Sequence, residues 1–166
     1  MIKAVGIDLG TAGAIFRAKL ENGVITPLSC NRWMWDMEEE KRYYQFTQEA
    51  RCELDWADAM AYEYVQFNRG KSIIAGLRGI LLAAAEEHEI LCHGVNVSTL
   101  KSFAIPQIKG KKKDRGKGAM AQVLAIEWPE FYEHIAKLSG KVDDLVDAAW
   151  TVIWLLENIE EGGFDE

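Results

Sequence analysis

Val5-Gly6-Ile7-Asp8-Leu9-Gly10-Thr11-Ala12-Gly13-Ala14, near the N-terminus, is the most informative segment of the chain. It overlaps the end of an apolar run, Met1 to Ile7, in which Lys3 is the only polar residue. Such a run suits a strand buried on both faces of a sheet. One carboxylate, Asp8, follows, and then a Gly-Thr-Ala-Gly turn. A buried carboxylate has to be neutralised, hydrogen-bonded or bound to a cation. Asp8 either closes the turn by bonding nearby backbone N–H groups or works with other acidic residues supplied elsewhere in the chain.

Residues 14–20 and 23–28 read as two further strands, joined by Glu21-Asn22-Gly23 with its Asn-Gly hairpin signal. Consecutive antiparallel strands beside a buried first strand predict a mixed sheet. Residues 36–55 have the spacing of an amphipathic helix. The aromatic set around it (Trp33, Trp35, Tyr43, Tyr44, Phe46, Trp56) reads as core or dimer face rather than as a base-stacking platform. Residues 59–67, AMAYEYVQF, form a strand pattern with Glu63 inside it. A loop then leads into a helix over 71–88. Its Gly70-Lys71-Ser72 triplet is not a P-loop, because Val65 stands where that motif needs glycine.

A fifth strand is expected over 90–97 and a short helix over 98–105, with Ser98 as N-cap. Helices follow over 119–126 and 130–138, broken at Trp128-Pro129 and ended at Ser139-Gly140. The last helix, 142–158, is strongly apolar, and the tail 159–166 is acidic. With no repeat and no dividing linker, 166 residues make a single α/β domain, 1–166, with one substantial core.

No apolar run approaches the ~20 residues needed to span a bilayer, so a cytoplasmic protein is expected, with no membrane partner. Cys30, Cys52 and Cys92 contain no Cys-x-x-Cys pair and cannot all be bridged, which predicts reduced, mostly buried thiols. The three histidines show no zinc spacing with them. Net charge is −7, yet Lys109 to Lys117 reads KGKKKDRGK. That segment is +5 and leaves −12 for the rest, an acidic body with one basic loop over 106–118.

Asp144 and Asp147 lie three apart at the start of the last helix and project from one face, where the helix N-terminus favours negative charge. Asp143 points about 100° away and is expected in solvent. Alone, these aspartates could be capping and dipole decoration. With Asp8 on the first strand and Glu63 on a middle strand, they make four carboxylates on rigid elements. Converging anions call for hard cations, and oxygen-only ligation suits Mg²⁺ and Mn²⁺.

Asp8 in Gly-Ile-Asp-x-Gly, Glu63 in Tyr-Glu-Tyr-Val and Asp144-Leu-Val-Asp147-Ala-Ala on the last helix together resemble the RuvC-type Holliday junction resolvases. The resemblance runs from Gly6 to about Ile153, and it includes Val95 to Ala104 and the basic segment Lys109 to Gln122. It implies an RNase H-like fold, a mixed five-stranded sheet flanked by helices. It also implies a homodimer acting on a four-way junction and incision leaving a 5′-phosphate and a 3′-hydroxyl. Two Mg²⁺ per site are implied, with Mn²⁺ able to substitute. Asp8 would bridge the metals, Glu63 would bind one of them, and Asp144 and Asp147 would complete the set. The family's base-stacking aromatic maps to Phe67, one residue later than the usual spacing. The Trp-rich 33–56 segment and the Lys-rich run fit a divergent, phage-type member.

Lys109, Lys111, Lys112, Lys113, Arg115 and Lys117, interrupted by glycines, are read as the grip on a phosphate backbone that the acidic body would repel. Arg69 and Lys71 are expected to join them. Other readings follow from the same residues. Gly6-Ile7-Asp8-Leu9-Gly10-Thr11 also looks like the phosphate-binding turn of actin-like ATPases, but 166 residues cannot supply their second domain. A nuclease for flaps or RNA–DNA hybrids, or a non-catalytic protein binding branched nucleic acid, would share the fold.

Overall fold

β1 (Ile2–Asp8) lies at the centre of a five-stranded sheet in the computed structural model, which describes residues 1–10, 12–34, 38–64, 72–105, 117–140 and 142–163. Its companions are β2 (Ala12–Glu21), β3 (Val24–Met34), β4 (Ala59–Tyr64) and β5 (Leu91–Asn96), in the order β3-β2-β1-β4-β5. β1–β2 and β2–β3 pair antiparallel, whereas β1–β4 and β4–β5 pair parallel. The sheet is mixed, as the hairpin signal and the buried first strand predict. Asn22 and Gly23 both take positive φ, 53° and 74°, the conformation of a tight hairpin turn.

Among the described residues, six helices cover the two faces: α1 (Glu39–Trp56), α2 (Ser72–Glu87), α3 (Val97–Ala104), α4 (Lys117–Glu127), α5 (Pro129–Ala136) and α6 (Asp143–Glu160). Strand alternation sorts the side chains between two cores. Val5, Ile7, Met60 and Tyr62 pack with Phe46 and Leu54 of α1 and Leu77 and Leu81 of α2. Ala4, Phe16, Ala59 and Ala61 pack with α6 and with Leu124 and Phe131 of α4 and α5. The sheet is lined with small residues on the α6 side because that helix lies close. A β-carbon on Gly6 would run into the Ala148 carbonyl and stand 2.5 Å from the Val152 backbone nitrogen. α6 itself is buried along Leu145, Val146, Ala149, Val152, Ile153 and Leu156.

Several sequence expectations need correction. β3 runs to Met34, not to residue 28. A bulge where Arg17 and Ala18 meet Ser29 and Pro27 shifts its register. Pro27, with no N–H for the ladder, fits such a break. The cap of α3 is Asn96, whose side chain accepts from the backbone N–H and the hydroxyl of Ser98 (3.0 and 2.9 Å). The thiols are free but not mostly buried: Cys52 is exposed, and Cys30 and Cys92 are half-buried. Asp143 is half-buried rather than in solvent. Trp33 and Phe46 meet edge to face at 5.6 Å in the core, while Tyr44 is exposed. No helix among the described residues is long and apolar enough to cross a membrane.

Candidate metal centre

Asp8 is the last residue of β1 and continues the row Ala4, Gly6, which faces α6. Glu63 continues the row Ala59, Ala61 on β4, so it faces the same way. The parallel register pairs Ile7 with Tyr62, and one step further places Asp8 beside Glu63 on adjacent strands. Both carboxylates are half-buried.

α6 brings the other two. Gly6 lies under Ala148 and Val152, so the preceding turn of the helix, with Asp144 and Asp147, lies toward Asp8. Both aspartates are half-buried. Neither they nor Asp143 are used as a helix cap: Val142 occupies that position, and no side chain caps the helix.

Electrostatics records the convergence. The Asp8 carboxyl is pushed up from 3.8 to about 8, first by burial and then by the negative charges of Glu63, Asp147 and Asp144. Each of the four predicted carboxylates takes part in that one interaction. No group of three or more His, Cys, Asp or Glu among the described residues is placed to hold a metal ion as it stands. The donor set is nonetheless all oxygen and strongly anionic, which fits a hard divalent cation. Such an ion would offset the burial and the repulsion that together hold a proton on Asp8.

The turn after Asp8 is tight. A β-carbon on Gly13 would strike the Asp8 carbonyl and lie 3.2 Å from the Gly10 nitrogen, so glycine is required there. Trp150 of α6 donates from Nε1 to the Met120 carbonyl of α4 at 3.1 Å. This bond ties the helix of Asp144 and Asp147 to the helix that begins at Lys117, where the basic segment ends. The Lys117 side chain lies outside the described residues. So do Phe67, Arg69, Lys71, Lys109, Lys111, Lys112, Lys113 and Arg115, and with them most of the loop over 106–118.

The arrangement of this sheet and these helices is found in solved structures. The Thermus thermophilus RuvC structure superposes with a TM-score of 0.72 at 16% identity, covering 97% of each chain. The chain has the RuvC fold. T. thermophilus RuvC in complex with a Holliday junction substrate matches equally well, with a TM-score of 0.72 at 14% identity, covering 98% of this chain and 97% of that one. The RuvC fold is an RNase H-like α/β fold, as the sequence resemblance implies. No family model and no curated protein matches the sequence.

The sequence reading missed Arg32. It lies on β3 beyond residue 28, beside the turn that leads into α6: its Nη1 donates to the Ser139 carbonyl. Only the bulge in the β2–β3 pairing places it there.

Proposed function

We propose that this protein is a metal-dependent, structure-selective endonuclease that resolves four-way DNA junctions. The observation that carries the reading is the coupling of Asp8 to Glu63, Asp144 and Asp147 within a RuvC fold. Support for the substrate comes from the neighbour of the same fold that was solved with a Holliday junction. The protein would act as a homodimer on cytoplasmic DNA.

Asp8, Glu63, Asp144 and Asp147 would hold two Mg²⁺ ions, with Mn²⁺ able to replace them. Bound there, divalent ions supply charge neutralisation and an activated water for phosphodiester hydrolysis. The reaction adds the water oxygen to phosphorus and breaks the bond to the 3′ oxygen, leaving a 5′-phosphate and a 3′-hydroxyl. The chain's own part is to hold four carboxylates on β1, β4 and α6, so that none has to be ordered when substrate arrives. Asp8, central among the other three, must lose its proton before it can serve as a ligand. Lys109, Lys111, Lys112, Lys113, Arg115 and Lys117, with Arg69 and Lys71, would hold the phosphate backbone, and Phe67 would stack at the junction centre.

Asp8→Asn, Glu63→Gln, Asp144→Asn and Asp147→Asn test the site one carboxylate at a time. Each is expected to abolish cleavage of a synthetic junction while a gel shift shows that binding persists. Retained cleavage in any two of them rejects the metal-site assignment.

A further inference from the structure

Arg32 stands in line with Asp8 across the sheet. Asp8 pairs with Ala14, and Ala14 pairs with Arg32. Two strand spacings, about 10 Å, separate the ends of this row. Ala14 belongs to the core on the α6 side, so all three residues face that helix. The β2–β3 bulge makes this so, because unbroken pairing from Glu21–Val24 would set Asn31 opposite Ala14 instead.

The Arg32 guanidinium grips the turn that launches α6. Nη1 donates to the Ser139 carbonyl, and a β-carbon on Gly140 would lie 2.7 Å from the same nitrogen. Gly140 has φ +96°, so its backbone also requires glycine. Three residues later α6 begins without a side-chain cap. The contact from β3 therefore holds the turn that leads into this helix, although a guanidinium, a donor only, leaves the first-turn N–H groups uncapped.

Arg32 is an uneconomical choice for stability alone. Its Nε and Nη2 are buried and have no hydrogen-bond partner among the described residues. Buried donors left without partners oppose folding.

We infer that Arg32 is a positioning residue for the carboxylate centre: by fixing the Ser139-Gly140 turn it sets where Asp144 and Asp147 stand relative to Asp8. This inference rests on the nuclease reading of the site. Its effect passes through the backbone of the turn, so it needs a donor with the reach of Nη1 at the Ser139 carbonyl rather than charge alone.

Calorimetric titration of the full chain with Mn²⁺, without DNA, tests it. The native protein is compared with Arg32→Gln, Arg32→Lys, Asp8→Asn and Arg17→Gln. Arg32→Gln is expected to weaken Mn²⁺ binding about tenfold, the usual effect of losing a support behind metal ligands. Arg32→Lys is expected to recover little of that loss. Arg17 pairs with Glu53 of α1 at 2.6 Å, on the opposite face. Arg17→Gln is therefore expected to lower the melting temperature and leave Mn²⁺ affinity alone.

Unchanged Mn²⁺ affinity in folded Arg32→Gln overturns the inference, as does an equal loss in Arg17→Gln. Should Arg32→Gln not fold, Gly140→Ala presses on Nη1 from the other side and must weaken Mn²⁺ binding; unchanged affinity there overturns the inference too. A native protein that binds no Mn²⁺, or Asp8→Asn binding it as the native does, overturns the nuclease reading as well. If those two behave as expected and Arg32→Gln binds normally, only the role of Arg32 falls.

Discussion

Gly6 and Val152 lie against each other so closely that a β-carbon on Gly6 would stand 2.5 Å from the Val152 backbone nitrogen. This contact sets the height of α6 above β1, and so of Asp144 and Asp147 above Asp8. Gly6→Ala must push the helix away, because the atoms in its path are backbone and cannot rotate aside. Overpacking of this kind costs about 1–3 kcal/mol. The variant should show that loss in urea unfolding and should also cleave poorly, even where it remains folded. Native stability with native activity would mean that the helix does not rest on Gly6.

Metal binding should be coupled to one proton. Asp8 holds its proton up to about pH 8 because it is buried among three other carboxylates, and a metal ligand must be deprotonated. Below that pH, Mn²⁺ affinity should fall about tenfold for each pH unit, and above it the affinity should level off. Calorimetry in buffers of differing ionisation enthalpy counts the released protons. A pH-independent affinity between pH 6 and 8 would contradict the coupling.

The same proton affects stability without metal. The Asp8 pKa is higher in the folded state, about 8 against 3.8, so the folded state binds the extra proton. The stability this provides is complete below about pH 4 and is lost as pH rises toward 8, at no more than about 1.4 kcal/mol per pH unit. Asn has a similar shape and no charge. Metal-free Asp8→Asn should therefore be more stable than the native protein at pH 8, with little difference near pH 4. Urea melts at both values check this, and a native protein that is the more stable of the two at pH 8 would refute it.

Much of this was legible in the sequence because it depends on local signals. The apolar run before Asp8, the Asn22-Gly23 turn, the Glu63 strand and the spacing of Asp144 and Asp147 each express their structure within a few residues. The end of β3 is not legible because Ser29 and Asn31 are polar and exposed, and an edge strand needs only one covered face. The bulge near Pro27 is a register shift, which depends on pairing with β2 rather than on composition. Missing it hid Arg32. Asn96 and Ser98 are both good cap formers two residues apart, so composition does not separate them.

The basic segment makes a separate prediction about salt. Removing the charges of Lys111, Lys112 and Lys113 should weaken junction binding and reduce the slope of log affinity against log salt by about 3 if each lysine meets one phosphate. A fluorescence-anisotropy series from low to high salt measures it. An unchanged slope would remove these lysines from the DNA grip.

Cleavage of an end-labelled four-way junction in Mg²⁺, beside linear duplex, a flap and an RNA–DNA hybrid and with Asp8→Asn as control, tests whether the protein is a junction resolvase. Paired, symmetric nicks in the junction are expected, ending in 5′-phosphate and 3′-hydroxyl and absent with the variant. Cleavage mainly of flaps or hybrids would keep the metal chemistry and contradict the substrate. Tight junction binding with no cleavage of any substrate would contradict the enzyme.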